Sequence, residues 1–332
     1  MRRFYLFCLA LCCAHFSIAQ QSVGRKISIA LPDTLKTGSR EISGLALAGE
    51  RLYLLCENRG DRFRVYTSGI YSISLSALEE SIEASGQLSP ACVWHPLKGI
   101  DWVMQRVGEY QGLESLVIHG DRFYATVETE VTADSCYLVS GTFGADGFTI
   151  DTSKLMALPK PKLENGSQVF NAGFEALLHR KGKLYALFEY NQFEKNYALV
   201  LRPSTGRIRK IQLDRKVPFR TTDITTWRGK NFLGINYFFP LKAEFIYAEN
   251  LTDEEENLIR SKDGNLRSFA RLSLFKKDKN RLRVVRYIDL PEELWTSNWE
   301  GIARFKNGVF LVNDKFIKAG GRETQLIYLT LE

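Results

Sequence analysis

The chain has 332 residues, of which 45% are hydrophobic and 25% are charged, and its formal net charge is +7. This balance is typical of a globular protein, and the length suffices for one large domain with a substantial core. The positive excess is small for the length and both signs are interspersed, which argues against nucleic acid as a partner. No stretch reaches about 18 consecutive apolar residues, so the sequence predicts no transmembrane segment.

The N-terminus has the pattern of an export signal. Two arginines precede a short apolar run over residues 4–14, and small residues stand at Ser17 and Ala19. Signal peptidase reads small side chains at these two positions, so we expect cleavage after Ala19. The mature chain, residues 20–332, is then a single secreted or periplasmic domain, and losing residues 1–19 lowers the formal charge by two.

The cysteines leave one alternative open. A lipoprotein would be acylated at Cys12 or Cys13, but such a site needs a small residue just before the cysteine, and Leu11 precedes Cys12. Beyond the signal three cysteines remain: Cys56, Cys92 and Cys136. This odd number allows at most one internal bridge, and the spacing fits no metal site, so we expect buried, apolar thiols.

Five segments of the chain follow one pattern. Each begins with a polar residue, continues through an apolar run and a glycine, and ends 14 residues later at a second polar position: 43–57, 114–128, 175–189, 223–237 and 300–314. Two runs rich in β-branched, aromatic and leucine residues around a glycine-containing turn are typical of a β-hairpin. A unit that recurs in this way indicates a repeat architecture.

Further strand-like segments follow each hairpin, which predicts an all-β fold, a β-propeller of four-stranded blades. The last unit supplies only three strands, and residues 26–30 are the candidate for the missing one. Pairing of that segment with residues 325–331 would close the ring and protect both sheet edges. Five units favour five blades, although the long insertion over residues 77–110 leaves room for a sixth.

Short motifs within these units carry a resemblance to a known family. They are residues 171–177 (Asn-Ala-Gly-Phe-Glu-Ala-Leu), 223–224 (Asp-Ile), 298–303 (Asn-Trp-Glu-Gly-Ile-Ala), 311–314 (Leu-Val-Asn-Asp) and 324–326 (Thr-Gln-Leu). Together they resemble the phytase-like family called "esterase-like activity of phytase", over nearly all of the mature chain. Membership would imply a propeller and a hydrolase of esters or phosphoesters. Glu-Gly-Ile followed by a terminal Asp also marks the SdiA-regulated proteins and the strictosidine-synthase-like lactonases.

The two polar ends of each hairpin lie roughly 20 Å from its turn, at about 3.3 Å per residue. Glu175 and Glu189 are symmetric about Gly182 and should lie opposite each other across the ladder. If the hairpins stand around one axis, the acids of all units gather at the end remote from the turns. These acids are Glu57, Glu114, Glu128, Glu175, Glu189, Asp223, Glu300 and Asp314. The set departs from the family pattern at Ser43, which follows Glu41 by two residues, and at Tyr237.

Clustered carboxylates need a counter-charge, or their pKa values rise. A hard cation such as Ca²⁺ would supply that charge and could activate water for hydrolysis. Arg59, Arg220 and Lys315 are expected at the same end of the propeller as these acids, its acidic rim, and could hold a small anionic or ester substrate. The alternative is that the acids accept hydrogen bonds from the next blade and fasten blade to blade.

Two functions therefore remain open. The first is a metal-assisted hydrolase of phosphoesters or esters at the acidic rim, with its catalytic residues unassigned. The second is a non-catalytic binding or scaffold propeller, and under either we expect a monomer. In the first, three or more acids converge beside an open pocket; in the second, they pair with backbone groups or arginine.

Overall fold

The protein is all-β. A computed structural model describes residues 22–36, 40–57, 68–191, 196–213, 217–240, 251–314 and 323–332. The strands of these residues are β1 (Val23–Ile29), β2 (Ile42–Ala48), β3 (Arg51–Cys56), β4 (Gly69–Ser74), β5 (Cys92–Lys98), β6 (Tyr110–His119), β7 (Arg122–Thr129), β8 (Ser135–Gly144), β9 (Gly147–Pro159), β10 (Ala176–Arg180), β11 (Lys183–Leu187), β12 (Tyr197–Arg202), β13 (Arg207–Leu213), β14 (Arg220–Thr226), β15 (Asn231–Phe238), β16 (Phe269–Asp278), β17 (Arg281–Asp289), β18 (Asn298–Phe305), β19 (Gly308–Asp314) and β20 (Leu326–Leu331). The helices are α1 (Asp33–Lys36), α2 (Leu75–Glu83), α3 (Ile100–Val107) and α4 (Asp253–Ile259), with a 3₁₀ turn at Glu292–Leu294.

The strands are arranged in antiparallel meanders of four. One sheet has the order β1-β20-β19-β18, and two sheets of eight strands each combine two meanders, β2–β5 with β6–β9 and β10–β13 with β14–β17. The two meanders of each larger sheet meet at their last strands, where β5 pairs with β9 and β13 with β17 in parallel. Four-stranded meanders of this kind make the architecture propeller-like, as the sequence predicted.

All five predicted hairpins form, at β2–β3, β6–β7, β10–β11, β14–β15 and β18–β19. The first strands of successive hairpins contact one another in turn, and the first strand of the last hairpin, β18, also contacts β2. Within the β14–β18 contact, Thr222, Asp223 and Thr225 bond in the same order to Trp299, Ile302 and Arg304, so these two strands run in parallel.

The predicted pairing of the N-terminal strand is confirmed. β1 lies antiparallel to β20, with Ile27 opposite Tyr328 and Ile29 opposite Leu326. The long insertion after β4 contains α2, β5 and α3, and its strand completes the first meander. In this described segment the insertion therefore holds one strand of an existing sheet and no separate four-stranded sheet.

The core is divided into clusters that lie between successive hairpin units. Tyr185 and Phe232 belong to the cluster between the third and fourth units, and their rings are 5.4 Å apart. Leu45 and Phe310 belong to the cluster that joins the last unit to the first. Because each unit buries its apolar faces against both neighbours, the units depend on one another for stability.

Cys56, Cys92 and Cys136 are not joined by a disulfide. Cys56 and Cys136 are buried, as expected, whereas Cys92 is only half-buried. Burial raises the pKa of Cys136 to about 12 and that of Cys92 to about 11, so both are protonated and unreactive near neutral pH. None of the helices in the described residues is long and apolar enough to span a bilayer. Residues 1–19, with the expected signal, lie outside the described residues.

Candidate functional site: the acids around Arg220

A bulge opens four of the five hairpins. The ladder skips a residue in the first, second, fourth and fifth units, at Ser43, Glu114, Thr222 and Glu300, and in the second unit it also skips Gln111. An extra residue on one strand interrupts the regular in–out alternation and re-aims the side chain. The bulges therefore coincide with, or lie next to, the first polar position of the repeat.

The third hairpin corrects the predicted register. Its ladder pairs Ala176 with Leu187 and Arg180 with Lys183, so its centre falls between residues 181 and 182. Both Glu175 and Glu189 lie just outside the ladder, and the backbone N–H of Glu189 bonds to Gly173. The two acids are consequently not direct cross-strand partners, and a third residue brings them together.

That residue is Arg220, at the start of β14. One of its terminal nitrogens, Nη2, lies 3.0 Å and 3.2 Å from the two carboxylate oxygens of Glu175, and its Nε donates to Glu189. The same Nη2 is 3.6 Å from Glu300 Oε1. Asn298 holds that oxygen of Glu300 from the other side, at 2.5 Å. One buried guanidinium thus joins acids from the third and fifth units.

The electrostatics of this cluster favour retention of a proton. Burial raises the pKa of Glu175 well above its usual range; Arg220 opposes the shift, and the neighbouring carboxylates Glu189, Glu300 and Glu114 add to it. Burial by itself would lower the pKa of Arg220. The carboxylates of Glu175, Glu189 and Glu300 outweigh that effect and hold its pKa well above the usual range, so this arginine is always charged. More carboxylates than one cation can neutralise share a poorly solvated space, and such groups titrate together.

The acids of the first two units border the same space. Glu57 and Glu114 both act on Tyr110, whose pKa is raised well above its usual range by burial and then by these two carboxylates. A Cβ at Gly112 would lie 2.9 Å from Glu57 Cγ and 3.1 Å from Glu114 Oε1, so a larger residue here would displace these two side chains. The structure therefore brings Glu57 and Glu114 together, and Glu114 is near enough to Glu175 to raise its pKa.

Glu128 and Tyr190 connect this group to the third unit. Burial raises the pKa of Tyr190, with Glu189 adding to the shift and Glu128 contributing less. Glu128 also packs beside Gly173, where a Cβ would lie 3.3 Å from Glu128 Cγ. Six predicted acids are thus linked, directly or through a shared neighbour, by their effects on one another's surroundings: Glu57, Glu114, Glu128, Glu175, Glu189 and Glu300.

Asp223 has a different role. Its carboxylate accepts hydrogen bonds from the backbone N–H of Ile224 at 2.7 Å and of Ile302, in the next unit, at 2.8 Å. It is buried, and burial raises its pKa above the usual range although these backbone donors oppose the shift. Asp223 therefore fastens the fourth unit to the fifth, which is the alternative considered for the acids. Ser43 does the same between the first two units, donating to the carbonyl of Leu113 at 2.6 Å.

The close approach of the units explains a glycine of the Glu-Gly-Ile motif. A Cβ at Gly301 would lie 2.9 Å from the backbone N of Leu45 and 2.7 Å from Val312 Cγ1. Real Cβ atoms do not approach backbone this closely, so a larger residue would push the last unit away from the first. Asp314, the last predicted acid, ends β19 opposite Asn298 and is buried.

The residues expected to hold substrate are distributed differently from the prediction. Arg220 is 3% exposed and its guanidinium is engaged by carboxylates, so it acts as an internal counter-ion. Arg59 and Lys315 lie outside the described residues. An anionic substrate would therefore face the six acids, and Arg220 could not bind it because its guanidinium is already paired with Glu175 and Glu189.

The carboxylates around Arg220 are already paired with a cation from the chain itself. Among these residues no group of three or more acidic, histidine or cysteine side chains is placed to hold a metal ion. Between Glu175, Glu189 and Glu300, a guanidinium occupies the position that a cation would need. A site with six to eight oxygen ligands requires that space to be open.

An exposed aromatic residue lies close to the acids in the chain. Phe170 is 76% exposed, whereas Val169 before it and Ala172 after it are buried in the core. Asn171 between them has a φ of 48°, a conformation that holds the loop in a sharp turn. Phe170 is three residues from Gly173, which bonds to Glu189, so its Cα lies within about 11 Å of the Cα of Gly173.

Sequence reasoning missed several participants in the site. Asn298, Tyr110 and Tyr190 contact or border the acids, and Phe170 is exposed nearby. Asn298 stands two residues before Glu300 in the motif of residues 298–303, so its closeness to that acid could have been predicted from the sequence. The two tyrosines carry no signal in the sequence, because they do not recur in the other units.

Comparisons with known proteins give no family. No family model and no curated protein matches the chain. Among solved structures, a GH43_1 enzyme from Xanthomonas citri is 9% identical, with a TM-score of 0.49 over 92% of this chain and 90% of that one. The PQQ-bound aldose sugar dehydrogenase of Streptomyces coelicolor is 12% identical, with a TM-score of 0.48 over 95% of this chain and 99% of that one. CoXyl43, a GH43 β-xylosidase/α-arabinofuranosidase from a compost microbial metagenome, is 10% identical, with a TM-score of 0.47 over 90% and 92%. At these identities and scores, none of the similarities supports an inference about activity.

Proposed function

We propose that the chain is an exported five-bladed propeller that hydrolyses uncharged esters at the acidic end of its channel. The blade count is supported by the cyclic contacts of β2, β6, β10, β14 and β18 and by the core clusters between successive units. Esterase chemistry is the part of the family resemblance that this site supports best, because it needs no second cation.

The observation that carries the proposal is the imbalance of charge around Arg220. The carboxylates outnumber the guanidinium, and the pKa of Glu175 is raised by burial and by its acidic neighbours. One retained proton beside an ionised carboxylate is the arrangement that general acid–base hydrolysis requires. Phosphoesters are disfavoured as substrates, because their negative charge would be repelled by the six glutamates.

In this proposal Glu300 and Glu175 divide the chemistry. Glu300 is 7% exposed and is oriented by Asn298, so it is placed to take a proton from the attacking water. Water oxygen then bonds to the ester carbonyl carbon, and the carbon–alkoxide bond breaks. The proton held by Glu175 goes to the leaving alkoxide. Phe170 would contact the apolar part of the substrate.

The test compares two chromogenic substrates. The wild type should hydrolyse p-nitrophenyl butyrate and leave p-nitrophenyl phosphate intact, with or without added Ca²⁺. Glu300→Gln should lose about 100-fold or more of the esterase rate while keeping its melting temperature. Glu254→Gln, a matched change at an exposed acid of α4, should keep full activity. Ester hydrolysis that survives Glu300→Gln would contradict the assignment.

A non-catalytic binding or scaffold propeller is the second candidate. The observations that favour it are the buried pairing of Glu175 and Glu189 with Arg220 and the backbone hydrogen bonds of Asp223. Under this reading the wild type hydrolyses neither substrate, and Glu175→Gln changes only stability.

A further inference from the structure

The turns of successive hairpins lie side by side. The rings of His119 and His179, which precede the second and third turns, are 4.0 Å apart between centroids. Arg180 Nη2 donates to the carbonyl of Gly229, in the fourth turn, at 2.7 Å. The first strands also contact each other in cyclic order. The turns therefore share one end of the molecule, roughly 20 Å from the acids along the strands.

This turn end is rich in cations. Nine lysine and arginine residues stand in or beside the turns, against two acids, Glu50 and Asp121: Arg51, Arg122, Arg180, Lys181, Lys183, Arg228, Lys230, Arg304 and Lys306. Lys181, Arg228, Lys230, Arg304 and Lys306 are exposed. Arg122 and Lys306 reach acids of their surroundings, Asp151 at 3.9 Å and Glu79 at 3.0 Å. The positive charge is therefore concentrated on the third, fourth and fifth turns.

A second layer of cations reinforces that sector. Burial lowers the pKa of Lys277, and the cations Lys183, Arg209 and Arg180 lower it further, against the effect of Asp278. Lys277 also lies 5.9 Å from the ring centre of Tyr185. Cationic side chains from the third and fourth units thus repel one another here, because the nearby acids are too few to neutralise them.

We propose that the turn end is a docking surface for a bilayer that contains anionic lipids. Cations on separate turns around an axis can face a flat surface together, whereas a thread-like polyanion would reach only some of them. Attraction between basic side chains and anionic headgroups acts within about one Debye length. The exposed turns can come that close to a membrane surface, because they lie at the end of the molecule. Docking in this way would leave the acidic end facing away from the membrane.

The experiment measures sedimentation of the whole protein with vesicles. Wild type should bind vesicles of phosphatidylcholine with phosphatidylglycerol, should not bind phosphatidylcholine alone, and should dissociate at about 0.5 M salt. Lys181→Asn/Arg228→Gln/Lys230→Gln should weaken partitioning by about 100-fold, at about five-fold for each charge. Asparagine at 181 suits the positive φ of 50° there.

A matched control removes the same charge elsewhere. Arg106→Gln/Lys162→Gln/Lys262→Gln changes three exposed cations outside the turns and should bind as the wild type does. Equal melting temperatures of the three proteins show that the fold is intact. Absent vesicle binding by the wild type, or equal loss in both triple variants, would overturn the proposal. Binding to heparin without binding to vesicles would also overturn it and assign the surface to a soluble polyanion.

Discussion

Replacing Arg220 by methionine would leave three buried carboxylates without the cation that they share. Glu175, Glu189 and Glu300 lie on this guanidinium, whose side chain is 4% exposed. Removing one partner of a buried ion pair costs about 3–5 kcal/mol, because the remaining charge has lost its solvent and its partner. Methionine retains much of the volume, so the loss is chiefly electrostatic. We therefore expect the free energy of unfolding to fall by about 3–5 kcal/mol near neutral pH.

The cost should depend on pH, with a definite sign. Without the guanidinium, the folded-state pKa of Glu175, already raised by burial, rises further above its unfolded value. A group of this kind contributes stability that is present below its unfolded pKa and is lost as pH rises through the folded one. The destabilisation by Arg220→Met should therefore be smallest near pH 4 and should grow toward neutrality, because the carboxyls can protonate in acid.

Urea unfolding of wild type and variant at a series of pH values measures this dependence. Arg271→Met is the matched control, since Arg271 is also buried but lies 3.5 Å over the ring of Tyr287 and donates to Asn236 at 2.9 Å. Its loss should cost stability with a flatter pH profile. A pH-independent cost for Arg220→Met, or one below about 1 kcal/mol, would refute the view that Arg220 is the counter-ion of these acids.

Three further outcomes follow from the structure. Glu175→Gln removes a carboxyl whose folded-state pKa is raised by burial. As pH rises above about 4.5, the wild type should therefore lose stability relative to this variant, and urea unfolding profiles that stay parallel over pH would contradict this. Asp223→Asn should lower the free energy of unfolding by about 1.5–3 kcal/mol, because the backbone N–H of Ile302 loses a charged acceptor; an unchanged melting curve would remove its fastening role. Deleting residues 21–32 exposes the edge of β20, so aggregation or loss of cooperative unfolding is expected in calorimetry, and an unaltered transition would count against ring closure by β1.

Much of the fold could be predicted from local pattern. The sequence pattern of each hairpin spans about 15 consecutive residues, because alternating apolar residues and a turn glycine determine the local backbone conformation. Gly49, Gly120, Gly182 and Gly229 take the positive φ that such turns require. The last turn differs, since Lys306 has the positive φ there and Gly308 is needed because a Cβ would lie 2.1 Å from the carbonyl of Leu329.

The pairing of β1 with β20 was also predictable, although 305 residues separate Arg25 from Thr330. The inference required only a count of strands and the rule that sheet edges are protected. In the same way, the repeated spacing of the acids predicted that those of different units would meet at one end. Glu175, Glu189 and Glu300, from two different units, meet at the guanidinium of Arg220.

The sequence by itself determined the hairpins, the closing strand and the collection of acids at the end remote from the turns. Only the tertiary structure decided what each acid does: Glu175 and Glu189 bind Arg220, whereas Asp223 binds the backbone of the next unit. The physical reason is that repeated positions are equivalent in the sequence but not in their surroundings. A one-residue bulge, a single arginine and the close packing of two strands act between units, and these contacts exist only once the chain has closed on itself.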